Sequence, residues 1–449
     1  MFGGTEIKLS DSFSAGRLMR FAFPSIIMMV VSSIYGVVDG IIISNFTGVE
    51  NFAALNLILP YITILGASGL MLGTGGSALV GKILGEGDGE RANKIFSLLT
   101  YTTIVVGVGL GLFGIYTSDL VASMLGADKA MQDLSYEYSS IMFSFLPFYV
   151  LQMYFQSLLT TAERPTLAMI ITLVAGVVNV TLDLLFVAQF GWGLRGAAFA
   201  TGISQIIGGF VPIIFFIYSR KHPEINLHLG SFIWSLQSIF RSCFNGLSES
   251  LMSISLAIVS FVYYYILLNN KGSIGVDTYG VLLYFSYVFI ATLTGFSRGI
   301  SPIISFHYGA KNKAELHDLL RKGLGIIFGL SILSELIAQV LASPIVNIFV
   351  GHNEELYKYT VYAFRIYSLH FAVTGFNIFI SAFFTALNNG WYSGLISMLR
   401  TIVFECGCII AMFLLYGIDR IWWGVTIAES ITCILAFVFL LMKQKHYGY

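Results

Sequence analysis

Long apolar stretches alternate with short polar loops along the whole chain. Twelve of them reach the roughly 20 residues that an α-helix needs to cross a bilayer. They run from Phe21 to Phe46, Ala53 to Leu84, Ile95 to Tyr116, Ser139 to Leu159, Leu167 to Phe190, Gly196 to Tyr218, Cys243 to Leu268, Tyr279 to Ser305, Leu324 to Val350, Phe364 to Leu387, Gly394 to Tyr416 and Ile421 to Met442. Barrel strands would alternate apolar and polar residues, whereas these runs are continuously apolar, so helices are predicted. The most polar connector, Ser219 to Phe240, falls at the midpoint. It divides the chain into an N-terminal six-helix lobe (residues 1–221), a cytoplasmic linker (222–240) and a C-terminal six-helix lobe (241–449).

Composition sharpens this into an integral membrane protein. Of the 449 residues, 56% are hydrophobic and only 11% charged, against about 25% charged in soluble domains. A net charge of +0 gives no bulk field to attract nucleic acid. The four cysteines all lie in apolar segments, which predicts small buried side chains and no disulfide framework. Lys and Arg are biased to alternate loops. With the N-terminus inside, sixteen of the 24 are cytoplasmic, six are external, and Arg298 and Arg400 remain within helices. The charge rule then places both termini in the cytoplasm of a multi-pass inner-membrane protein.

The two halves repeat. Gly75-Gly76-Ser77 followed by Gly85, ending helix 2, matches Gly299-Ile300-Ser301 followed by Gly309, ending helix 8. Gly196 in helix 6 pairs with Gly424 in helix 12. Six helices separate the copies, so both insert in one orientation. The expected architecture is twelve transmembrane helices in two six-helix bundles related by a pseudo-twofold along the membrane normal, with a cavity between them.

Charged groups inside helices are costly in lipid, at about 2.5–3.5 kcal/mol on the mildest scale, and are therefore functional candidates. Asp39, Asp183, Glu249, Glu335, Glu405 and Glu429 are such acids. Asp39 in helix 1, Asp183 in helix 5 and Thr201 in helix 6 should lie at similar depth in the outer half of the membrane. Asn179 shares a helix face with Asp183, and Tyr35 shares one with Asp39. These oxygens suit a hard cation such as Na⁺, or a proton held between two nearby acids. A buried hydrogen-bond network that only fixes helix packing is the alternative. Pro24 permits a bend in helix 1. Glu249 and Arg298 fall at one depth in the inner half and are expected to pair, with either a structural role or an attraction for a cationic substrate. Arg400 and Glu405, five residues apart, are poorly spaced for one α-helical face. Glu429 occupies the repeat position of Thr201 and is a candidate for substrate or proton binding.

Several matches carry no chemistry. Gly76 to Lys82 fits a nucleotide-binding loop until Ile83 replaces its Ser/Thr, and it lies on a membrane helix. Gly109 to Gly114 fits GxGxxG inside helix 3, where packing explains it. His307 and His370 lack a paired metal ligand.

Particular stretches carry a resemblance. Val38-Asp39-Gly40, Gly48 and Phe52-Ala53-Ala54-Leu55, then Gly81 to Asn93, Arg164-Pro165, Asn179-Val180-Thr181-Leu182-Asp183 and Gly196 to Thr201 resemble the MATE (multidrug and toxic compound extrusion) family. The likeness spans nearly the whole chain and is most specific in its N-terminal half. It is nearest to the branch with an Asp in helix 1 and Asn-x-x-x-Asp in helix 5. Phe376 to Leu387 lacks the carboxylate that another branch carries in helix 10. The resemblance implies a coupling-ion role for Asp39, Asn179, Asp183 and Thr201, and a bend at Pro24 that responds to ion binding. It implies a monomeric Na⁺- or H⁺-coupled antiporter that exports organic, cationic or amphipathic compounds by alternating access, with no cofactor and no enzymatic activity. Tyr35, Glu249, Arg298 and Glu429 are then candidates for the substrate cavity. The alternative is a lipid-linked precursor flippase of related architecture, which would favour a strongly cationic cavity.

Overall fold

A computed structural model describes residues 7–222, 225–351 and 353–449. The first six residues of the expected N-terminal lobe, and 223 and 224 of the expected linker, lie outside the described residues. The regular structure among the described residues is all helical. Helices α1 (Ala15–Thr47), α2 (Val49–Gly85), α3 (Gly89–Met124), α4 (Lys129–Thr161), α5 (Pro165–Asp183) and α6 (Gly193–Tyr218) form the first half. Side chains of Ser14, Asp88 and Asp128 accept from free amides at the starts of α1, α3 and α4. α5 continues into a π-helical turn, Leu184–Gln189.

The second half begins with one 74-residue helical run, Leu236–Gly309. Gly272, at φ 61 and ψ −141, splits it into α7 (236–271) and α8 (273–309). The two pieces form a hairpin, because Tyr263 and Tyr279 stack with centroids 4.6 Å apart. Residues 269–278, expected as a loop, are therefore mostly helical. The amides of Asn269 and Asn270 return to the carbonyls of Tyr265 and Ile266, which satisfies polar side chains within the helix. α9 spans Lys313–Val350. α10 is broken into Glu354–Ser368 and Phe371–Ala386, bent by 43°, where an unbroken Phe364 to Leu387 was expected. The amides of Leu369 and His370 bond only three residues back at the break, which tightens the turn. α11 runs from Gly390–Met398 through a π-helical stretch, Leu399–Glu405, to Cys406–Tyr416. α12 is Trp423–Tyr447. Ten helices qualify by length and hydropathy, and the bent α10 pair makes eleven. The division at Gly272 makes twelve spans among the described residues.

The repeat expected from glycine spacing is written into the contacts. A Cβ on Gly85 would lie 2.0 Å from the Phe306 carbonyl, and one on Gly309 would lie 2.0 Å from the Lys82 carbonyl. Each contact maps onto the other when 224 positions are added or subtracted, so α2 and α8 cross about a pseudo-twofold. Without Cβ atoms, the two backbones approach closely enough for dispersion to replace the missing hydrophobic drive in lipid. α2 crosses α7 in the same way at Gly75 and Gly246, and α1 crosses α8 at Gly295 and Gly299. These close approaches lie toward the end that carries Lys82, Arg91, Lys311 and Lys322, so the halves are locked together at this basic end.

The chain entering α1 reinforces that lock. Leu9 and Phe13 are each 1% exposed. The Leu9 N–H donates to Glu163 (2.6 Å) after α4, and the Phe13 N–H to Glu315 (2.9 Å) in α9. Lys322 donates to the Phe13 carbonyl, and the His307 ring meets the Asp11 carbonyl at 3.3 Å. Burial raises the Glu163 carboxyl above the ordinary range, while the Leu9 hydrogen bond pulls it back. Residues 9–13 thus strap one half to the other.

Candidate functional site

The first half concentrates unsatisfied oxygens at one place. Asp183 is the last α-helical residue before the π turn in α5, and it is 0% exposed. Asn179, one turn earlier on the same face, is 1% exposed and donates to Thr201 Oγ1 of α6 at 3.2 Å. Asp39, half-buried in α1, lies against Asp183, within hydrogen-bonding reach of its carboxyl. Tyr138 of α4 faces both acids. Tyr35 neighbours Asp39, with Ser32 and Gln152 alongside, and its ring packs against Gly176. The structure therefore brings Asp39, Asn179, Asp183 and Thr201 together.

What these groups lack is informative. Asp39 Oδ1, both Asp183 oxygens and Asn179 Oδ1 are buried without a hydrogen-bond partner. No described Lys or Arg pairs with either acid. Buried acceptors are ordinarily satisfied, and two adjoining carboxylates without a cation repel. The set is thus chemically matched to a hard monovalent cation or to shared protons. π turns recur at such sites because they displace the helical ladder locally.

The second half carries two ion pairs. Arg298 of α8 pairs with Glu249 of α7, as their similar depth predicts. The other pair was not read from the sequence. Arg400 of α11 reaches Glu429 of α12 with Nε at 2.8 Å and Nη2 at 2.7 Å from Oε1. Asn377 of α10 donates to Oε2 at 2.6 Å. Glu429 is 3% exposed and sits behind Arg400 and Asn377, off the clefts. The poor α-helical spacing of Arg400 and Glu405 is overturned by the π stretch. Its i→i+5 bonding brings residues five apart toward one side, and both face Glu429. The π geometry left no mark in the apolar periodicity. Glu335 accepts from Gln339, one turn away, at 2.7 Å. Pro24 lies within α1, which continues unbroken past it.

Three clefts meet at Arg298. One, narrow in this state, runs between α7, α8, α10 and α11 past Glu249, Asn377 and Arg400. A second opens toward Thr74 and Ser157 of the first half. The third is walled by Met28, Met29 and Gln156. Among the described residues no group of three or more His, Cys, Asp or Glu is placed to hold a metal ion.

Comparison with known proteins agrees with this architecture. The chain is 23% identical over 428 residues to the multidrug export protein MepA of Staphylococcus saprophyticus, covering 95% of this chain and 93% of that one. It is also 23% identical over 431 residues to MepA of Staphylococcus aureus (strain MRSA252), at the same coverage. Among solved structures, a MATE transporter in complex with MaL6 superposes with a TM-score of 0.91, at 21% identity and 98% of both chains. A multidrug resistance MATE family transporter in an outward-facing conformation gives 0.91, at 21% identity over 100% of both. The MatE family model matches residues 24–185 and 247–410, so the chain, a multi-pass membrane protein, belongs to the MatE family.

Proposed function

We propose that this protein is an ion-coupled antiporter that exports small organic compounds across the inner membrane by alternating access. The observation that carries the coupling is the cluster of orphaned acceptors, where Asp39, Asp183 and Asn179 face one another with no described basic side chain to satisfy them. Na⁺ or protons entering there relieve the repulsion between the carboxylates. Filling the site shifts the balance between states by its differential affinity for them. The export of organic compounds follows from the MepA relatives, which are multidrug export proteins.

The basic end is read as cytoplasmic, with both termini on that side, and the transporter as a monomer. The locked crossings at Gly85 and Gly309, with the strap at residues 9–13, then describe a state closed to the cytoplasm. Opening inward requires these contacts to part.

Proteoliposomes test the coupling directly. With ethidium as the exported compound, an imposed inward Na⁺ or H⁺ gradient is expected to accelerate its transport against the ion. Identical rates with and without each gradient would sink the reading.

Pro24 lies fifteen residues before Asp39, about 22 Å along α1. It is proposed as the place where α1 bends when Asp39 is occupied. Pro24→Ala restores a backbone donor and is expected to slow ethidium export by about tenfold while leaving ion binding, read by isothermal titration, near wild type. Unchanged export would remove the bend from the mechanism.

A further inference from the structure

The cleft past Glu249, Arg298, Asn377 and Arg400 differs from a pocket for flat lipophilic cations. No aromatic side chain lines it among the described residues, and five of its thirteen lining residues are serine or threonine, beside Glu249, Arg298, Asn377 and Arg400. It is therefore built for a ligand that forms hydrogen bonds and salt bridges, not for ring stacking.

Its charges also come in a particular arrangement. Glu249 and Arg298 neutralise each other, with side chains only 14% and 15% exposed. Arg400 is already committed to Glu429 behind the wall. A lone cation that takes Glu249 leaves Arg298 without its counter-charge at a largely buried position. A lone anion that takes Arg298 strands Glu249 in the same way. Removing one partner of a buried pair is strongly unfavourable. A ligand with one positive and one negative group avoids both penalties, because each resident charge exchanges its partner for a new one.

Two unsatisfied atoms mark where such a ligand would gain. Arg298 Nε is a buried donor with no acceptor, and Asn377 Oδ1 is a buried acceptor with no donor. Both residues line this cleft. The first suits a carboxylate, the second an ammonium.

We propose that this cleft binds zwitterions carrying an ammonium and a carboxylate, and discriminates against monocations of the same framework. Arg298 receives the carboxylate and Glu249 the ammonium. Selection against the monocation arises from the unpaired guanidinium it would leave behind. The inference rests on the exporter reading above and concerns this cleft alone, adding a second substrate class beside the flat cations, such as ethidium, that the exporter carries.

A matched pair of fluorescent probes tests it. Nε-dansyl-lysine carries an α-ammonium and an α-carboxylate, and dansylcadaverine is the same skeleton without the carboxylate. Both are titrated into the purified wild-type protein, with dansyl emission as the signal. Dansyl-lysine is expected to bind at least about tenfold more tightly. In Arg298→Gln, verified as folded by its elution profile, the order should invert, because Glu249 is released to take the cation alone. Equal or tighter binding of dansylcadaverine by the wild type overturns the proposal, as does binding of neither probe. The wild-type comparison decides the matter even where the variant fails to fold. Ethidium export by cells separates the two readings. Export without dansyl-lysine preference removes only the zwitterion site, whereas loss of all export and all binding removes the exporter as well.

Discussion

Cells producing Asp39→Asn are expected to accumulate ethidium to the level of cells lacking the transporter, and Asp183→Asn to do the same. The reason is the geometry of the pair. Each carboxyl lies against the other with no described basic side chain beside it, and Asp39 Oδ1 and both Asp183 oxygens are buried without partners. An amide at either position removes the negative charge and supplies a donor to the remaining acid. The surviving carboxylate is then satisfied without an ion, and occupancy no longer distinguishes the two states. A ligand without differential affinity shifts nothing. Asp39→Glu keeps the charge and should retain part of the activity, which separates loss of coupling from loss of folding. Immunodetection in the membrane fraction checks that each variant is present. Wild-type export by an Asp39→Asn, Asp183→Asn double variant would dispose of this site as the coupling centre.

Arg400→Met should be the most destabilising single change in the second half. It leaves Glu429, 3% exposed, with one Asn377 hydrogen bond and no counter-charge. Removing one partner of such a buried pair costs roughly 3–5 kcal/mol. Glu429→Gln should do comparable damage by stranding Arg400. The double variant Arg400→Met, Glu429→Gln removes both charges and is expected to recover most of the lost stability. Thermal unfolding of the detergent-solubilised protein measures all three. If the double variant melts at the sum of the two single losses, the pair contributes no coupling and its assignment fails.

These two clusters were not equally legible. The helix-1 and helix-5 acids stand out because a carboxylate in an apolar run is costly wherever the helix points, and their shared depth permits a meeting that the rotation of each helix then decides. The Glu249–Arg298 pair is legible for the same reason. The Arg400–Glu429 pair is not, since it joins α11 to α12 through a π stretch. One extra residue in a turn rotates everything after it, and no hydropathy pattern records that rotation.

The sequence by itself determined how many times the chain crosses the bilayer, that its halves are equivalent, and which charges are unusual. Each of these depends on local transfer cost, or on glycine positions that keep their spacing in both copies. The tertiary structure alone decided the hairpin turn at Gly272, the 43° break in α10, the strap formed by Leu9 and Phe13, and the joining of three clefts at Arg298. Those features depend on helix rotation and on contacts between distant segments. A bilayer constrains how deep a residue lies but not the direction its side chain takes around the helix.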